Sequence, residues 1–438
     1  MSPKFAISTL SLGTNLHHDL PTKIRVAAEQ GYDGVEIFVP DFEAFVEEVA
    51  QGRHQDLLPR PLTDADDREI ECAKAIGALC TAHGLSVPVF QPMRNFENFD
   101  SPRALGGGGL PAALAAAERY IRLMPHLKTN LLLVCSNFIE PEDHPYSPYD
   151  PEKEPLPSFT HASSERTVPP GPAPSTYYPA LTQAQLDQYL DTQVAAFREL
   201  GKVAARYGVR VGYEGLAWGT VVDNWEQVWD VVRRVGRDNV GIILDSFNLL
   251  GNEYADPTVP STFLRAPESI SPTPVPAAGP PLPAAFAGEG SNPTHKAVLQ
   301  NLAVLARTIP AHKIFLYQVA DGAAPCEPPA TIPAAPRAPA RMTWSRASRL
   351  FPCEEDRGAW LPVVDMSLAI TQAGYPSTRP QDDGAWWSLE VFNRSLSDSR
   401  PECVEEHGAR GIAGLRTLWD RVSKRIKAEC EEPPSAVL

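Results

Sequence analysis

Eight times along the 438-residue chain a short apolar run gives way to a polar stretch, and then to a segment whose apolar residues return every three or four positions. The runs are "FAISTLSLG" (5–13), "GVEIFVP" (34–40), "LSVPVFQP" (85–92), "NLLLVCSN" (130–137), "VRVGYEGL" (209–216), "VGIILDSF" (240–247), "KIFLYQVA" (313–320) and "WWSLEVF" (386–392). Helical periodicity occupies 21–31, 67–84, 112–127, 182–206, 224–236, 294–309, 360–373 and 401–429. The runs are rich in Val, Ile, Leu and Phe without strict alternation, as in strands covered on both faces. Eight such pairs predict an α/β chain closed into a (β/α)8 TIM barrel, a single domain over 1–438. An open doubly wound sheet is disfavoured, because "LSLGTNLHH" after the first run lacks the G-x-G-x-x-G turn of that fold.

Proline adds detail to this outline. Of its 45 residues, 26 fall in three stretches, about 141–179, 257–290 and 324–342, which follow the fourth, sixth and seventh runs. In a barrel those are loops at the C-terminal ends of the strands, where barrel active sites lie. The run "GGGG" at 106–109 has no G-K-[S/T] after it and reads as a loop. The final periodic segment, 401–429, is amphipathic and would either close the barrel or form an interface between copies in a homo-oligomer.

Charge and cysteine usage narrow the partners. A net charge of −15 disfavours nucleic acid, which is bound through clustered Lys and Arg, and leaves a small molecule as the expected partner. Seven cysteines, widely spaced and without a C-x-x-C pair, predict neither a disulfide framework nor a zinc knuckle. No basic leader precedes an apolar segment and no run reaches membrane length, so a cytoplasmic location is expected.

The late strand ends carry the candidate chemistry. The fifth run closes on Glu214, the sixth on Asp245, the seventh on Gln318 and the eighth on Glu390. One carboxylate at the end of a buried strand is ordinarily a loop cap or half of an ion pair. Oxygen donors on four successive strands of a closed barrel, however, converge on one small volume. Carboxylates about 4 Å apart repel by about 4 kcal/mol per pair at an effective dielectric near 20, a cost that a divalent cation removes. An all-oxygen set without Cys or His predicts a hard ion, Mg²⁺ or Mn²⁺.

The residues "FAISTLSLG", "GYDGVEIF", "FQPMRNFE", "VGYEGLAWGTVVDNWEQVWDVV", "LDSFNLLGNEYADP", "YQVAD", "WSRASRLFPCEEDRGAWLPV" and "WWSLEVFNRSL" resemble the xylose-isomerase-like barrels of sugar isomerases and epimerases. Within that group they are most similar to the fungal-type 3-dehydroshikimate dehydratases of quinate and shikimate catabolism. The resemblance covers most of the chain outside the proline-rich stretches. It implies metal ligation by Glu214, Asp245, Gln318 and Glu390, and a substrate site that includes Arg94, Ser345 and Arg349. Both arginines follow strands, and a guanidinium fork suits a substrate carboxylate. The plainer alternative is a rim salt bridge of either arginine with Glu97 or Glu354.

The implied reaction converts 3-dehydroshikimate to protocatechuate and water, with a metal polarising the ketone. Arg94, Glu214 and Glu390 are the candidate catalytic residues. Bacterial relatives carry His three residues after the aspartate ligand, where this chain has Asn248. Asn takes no proton near neutral pH, so Asn248 is assigned to substrate contact. The base is left open among Glu214, Glu390, Glu36, His17 and His18, of which the two histidines are expected to be solvated. Two other functions use the same residues or the same loops: a sugar or hydroxyacid isomerase, and a degenerate barrel that binds a protein partner.

Overall fold

The computed structural model describes all residues except 1, 59, 61, 64–66, 102–103, 149–178, 260–261, 271–291, 326–338, 376–384 and 432–438. Most of the three proline-rich stretches therefore lies outside the described residues. Each of the eight apolar runs overlaps a parallel strand: β1 Lys4–Ser8, β2 Gly34–Phe38, β3 Phe90–Met93, β4 Leu131–Cys135, β5 Arg210–Glu214, β6 Val240–Asp245, β7 Ile314–Val319 and β8 Trp386–Leu389. Each pairs with its neighbours in chain order and β8 returns to β1, which closes the barrel. The register sets Asp245 beside Gln318, and Leu389 beside Val319. Oxygen-bearing residues at the ends of β6 and β7 and just after β8 thus stand at nearly one level.

The expected helices are present as α1 Leu20–Gln30, α3 Arg68–Ala82, α4 Leu110–Leu127, α5 Gln183–Ala205, α6 Trp225–Val235, α8 Pro293–Thr308, α10 Val363–Gln372 and α11 Glu402–Glu431. Local chemistry sets their ends. Asp19, Asp67, Asn224 and Asn292 cap α1, α3, α6 and α8 by accepting from backbone amides of the first turn, and Thr182 with Gln185 forms a capping box on α5. Three helices were not expected: α2 Val39–Ala50, α7 Ser246–Glu253 and α9 Ala340–Ser348. The first two begin with no loop after β2 and β6, so the apolar runs "GVEIFVP" and "VGIILDSF" each contain a strand end and a helix start. Pro40 in the first turn of α2 suits that abrupt change, since its fixed φ fits a helix start and its missing N–H is not needed there.

The main core lies between strands and helices, and a smaller cluster that includes Leu131, Leu133, Ile243 and Phe315 fills the barrel below the strand ends. Helix α11 packs against α1 and α10, and its Trp419 meets Trp387 of β8 edge to face at 5.5 Å. No helix among the described residues is long and apolar enough to cross a membrane.

Candidate active site

Three carboxylates meet at the strand ends. Glu214, Asp245 and Glu390 are buried, and each places an oxygen within 4.8 Å of the others. Asp245 divides its two oxygens between tasks: Oδ1 accepts the Asn248 N–H at 2.6 Å and caps α7, while Oδ2 lies 3.2 Å from Arg349 Nη1. Gln318 is fully buried, and its Nε2 donates to Glu36 Oε2 at 2.9 Å. Its Oε1 has no hydrogen-bond partner among the described residues. A buried acceptor left without a partner, on the strand position paired with Asp245, has the chemistry to serve as a further oxygen donor to a cation.

Arg349, which the resemblance implies is part of the substrate site, borders the cavity with its guanidinium engaged by the carboxylate cluster. Its guanidinium is 1% exposed, with Nη1 3.3 Å from Glu390 Oε2 and 3.0 Å from the Glu390 carbonyl. The rings of Phe247 and Phe392 lie 4.6 and 5.1 Å from its charge centre. Ser345 is also buried; its Oγ accepts from Arg349 Nε at 3.0 Å and it does not line the cavity. Three carboxylates and one guanidinium leave a formal charge of −2, which one divalent ion balances. The all-oxygen donor set, that charge and the orphaned Gln318 oxygen all fit such an ion.

Above the cluster opens a cavity of about 340 Å³, bordered by Glu214, Glu390, Arg94, Arg349, Trp218 and Phe138 among others. That is large enough for a small ring compound. Arg94 lies in its wall, stacked on Phe38 at 5.7 Å. Asn248 does not reach the cavity. Its Nδ2 donates to Glu214 Oε1 at 2.7 Å and its Oδ1 accepts from the Ala217 N–H, so it orients a carboxylate rather than meeting a ligand. Of the five candidate bases, Glu214 and Glu390 line the cavity. His17 is exposed, whereas His18, expected to be solvated, is buried against the Asp398 carbonyl at 2.7 Å. Glu36 lies beneath the cluster and accepts from Gln91 and Gln318. The alternative partners for the arginines are engaged elsewhere: Glu97 by Tyr213, Tyr189 and Asn137, and Glu354 by Arg410.

Two groups of residues near the site were missed. Gln91, the second residue of β3, directs Nε2 toward both Glu390 Oε1 at 3.0 Å and Glu36 Oε2 at 2.9 Å. Its position near the end of the apolar run "LSVPVFQP" was the available signal. Asp41 and Lys23 form a buried ion pair at the cavity wall, and nothing in their spacing indicates it.

Burial, then the charges of Glu390 and Asp245, pushes the Glu214 carboxyl well above the ordinary range. Burial likewise raises Asp245 against the pull of Arg349, and raises Glu390 to about 7. Burial together with the Glu390 charge lifts Glu36 to about 8, so Glu36 holds its proton at neutral pH. All these acids bind protons more tightly folded than unfolded. Their contribution to stability is therefore fully present below the unfolded value of 4.5 and is lost as pH rises toward about 8. Burial lowers His144 and His407, which act in the opposite sense, but mostly below their ordinary 6.5. Chelated protein is expected to melt at a lower temperature at about pH 8.5 than at about pH 6.5. An equal or higher melting temperature at the alkaline pH would contradict the burial of these acids.

A family model described as a xylose isomerase-like TIM barrel matches residues 24–413. A 3-dehydroshikimate dehydratase of Neurospora crassa is 30% identical, the alignment covering 99% of this chain and 97% of that protein. Another, from Pseudomonas aeruginosa, is 33% identical over 56% of this chain but only 26% of its own length. This chain thus spans nearly all of the fungal relative and matches about a quarter of the bacterial one. Among solved structures, a xylose isomerase-like TIM barrel/4-hydroxyphenylpyruvate dioxygenase fusion protein superposes with a TM-score of 0.57 at 24% identity, over 100% of this chain and 46% of that one, a likeness of fold. With its closed barrel and its match over most of its length, the chain belongs to the xylose isomerase-like TIM barrel family.

Proposed function

We propose that this chain is a cation-dependent 3-dehydroshikimate dehydratase, a hydro-lyase that expels water from a cyclic hydroxyketone carboxylate to give protocatechuate. The observation that carries the reading is the cluster of Glu214, Asp245 and Glu390 at the base of a cavity with Arg94 in its wall. The near full-length similarity to the Neurospora crassa dehydratase supports it. Glu214, Asp245, Glu390 and Gln318 Oε1 would hold Mg²⁺ or Mn²⁺, which when bound supplies Lewis-acid polarisation of the ketone and makes the adjacent C–H acidic.

The chain's own groups do the rest. Arg94 binds the ring carboxylate and fixes the ring's orientation. Glu214 or Glu390 takes the proton beside the carbonyl, being the two carboxylates that border the cavity. Asn248 holds Glu214 by one oxygen and leaves the other available, while Gln91 and Arg349 hold Glu390. Trp218, Phe138 and Leu216 supply apolar wall that limits water around the reacting atoms. We place the whole reaction in one barrel unit, in the reducing cytoplasm where the free Cys72, Cys80 and Cys135 stay reduced.

Purified protein, stripped with chelator and reloaded with one metal at a time, is expected to generate catechol absorbance from 3-dehydroshikimate with Mg²⁺ or Mn²⁺ and none without metal. Turnover of a ketose instead would support the isomerase reading. Inertness toward both would end the enzymatic one.

A further inference from the structure

The cavity has a second polar wall, away from the carboxylate cluster and unused by the mechanism above. Asp41, in the first turn of α2, is 3% exposed and its Oδ2 receives the Nζ of Lys23, itself wholly buried on α1, at 2.8 Å. Asp41 Oδ1 accepts no hydrogen bond among the described residues, and Asp41 borders the cavity. Thr14, in the loop after β1, borders the same cavity, and its Oγ1 is buried with no partner among the described residues. The two positions are tied together. Asn15 Nδ2 donates to the Pro40 carbonyl at 3.0 Å, and Thr14 is pinned by its N–H to the Leu396 carbonyl at 2.9 Å.

A buried Lys–Asp pair is a poor source of stability, because desolvating both charges offsets their attraction and an apolar pair would serve as well or better. A buried hydroxyl without a partner is a further cost. Both costs would be recovered by a ligand hydroxyl that donates to the carboxylate and accepts from Thr14. We infer that Asp41 Oδ1, held in place by Lys23, and Thr14 Oγ1 together bind a ring hydroxyl of the substrate and select polyhydroxylated rings over singly substituted ones. The inference rests on the dehydratase reading, which supplies a ring with a hydroxyl remote from its carboxylate.

Steady-state kinetics on 3-dehydroshikimate should show kcat/KM reduced about 10- to 100-fold in Asp41→Asn, the range for a lost charge-assisted hydrogen bond. Thr14→Val, which leaves the ion pair intact, should lose several-fold. In both variants the change should fall mainly on KM, with the Mn²⁺ dissociation constant, measured by titration of the protein alone, unchanged. Asp41→Asn leaves Lys23 short of a counter-charge and is expected to lower the melting temperature; Thr14→Val keeps the test independent of that effect. Wild-type KM in both variants, with or without altered melting, would overturn the inference and leave the wall a structural element. Wild-type protein inert toward 3-dehydroshikimate would overturn the functional reading, and this inference with it.

Discussion

Glu214→Gln is expected to reduce turnover of 3-dehydroshikimate by at least about a thousandfold, since a Lewis-acid contribution of several kcal/mol is lost at about 1.4 kcal/mol per decade. Affinity for Mn²⁺ should fall with it, because one of three anionic donors becomes a neutral amide. At alkaline pH, where the acids of the cluster must ionise, the same change should raise the melting temperature of chelated protein. Glu214 sits among Asp245 and Glu390 with ligand oxygens within 4.8 Å, where each like-charge pair costs about 3 to 4 kcal/mol at an effective dielectric near 20. The Asn248 amide would still find an oxygen to bind. Opposite shifts in metal affinity and in metal-free stability distinguish a functional cluster from a structural one. A Glu214→Gln protein that saturates with Mn²⁺ at wild-type affinity would remove Glu214 from the ligand set.

Arg349→Met is expected to destabilise chelated protein by about 3 to 5 kcal/mol, the usual cost of leaving buried charges uncompensated. The guanidinium bonds Asp245 Oδ2 and Glu390 Oε2, and its charge lowers the values of Glu214, Asp245 and Glu390. Without it the three acids are harder to ionise, so the loss should be larger at about pH 8.5 than at about pH 6.5. Saturating Mn²⁺ should restore much of the stability by supplying the missing positive charge. Arg349→Lys should fall short as well, because an ammonium has no planar fork to span Ser345, Asp245 and Glu390 together. The measurement is melting temperature in four conditions, two pH values with and without Mn²⁺. A loss indifferent to both pH and cation would mean that Arg349 acts by packing between Phe247 and Phe392 alone.

The strands and the flanking helices were legible because each is a separate apolar run or a separate periodic segment. Helices α2 and α7 were not, because they start in the residue after a strand and their first apolar positions, Val39 and Phe247, extend the strand's own run. The four strand-end oxygens could be read for a related reason: a lone polar residue closing an apolar run stands out, and barrel closure then brings such residues together. The orientation of Arg349 was beyond sequence reading, since its loop could carry it to the substrate or under it with identical spacing. The aromatic pair Phe247 and Phe392 that holds it comes from two strand ends far apart in the chain. Asp41 and Lys23 were hidden for the same reason as α2, whose helical turn is what brings Asp41 to the wall.

Glu390 follows β8, the strand that completes the ring by pairing with β1. Gln91, which steadies it, lies 299 residues earlier in the chain. Contacts across so long a separation form late, after most of the chain's entropy has been surrendered. The candidate ion-binding centre therefore comes into being only when the two ends of the sheet have found one another, so uptake of a coloured or fluorescent cation during refolding is expected to clock ring closure itself.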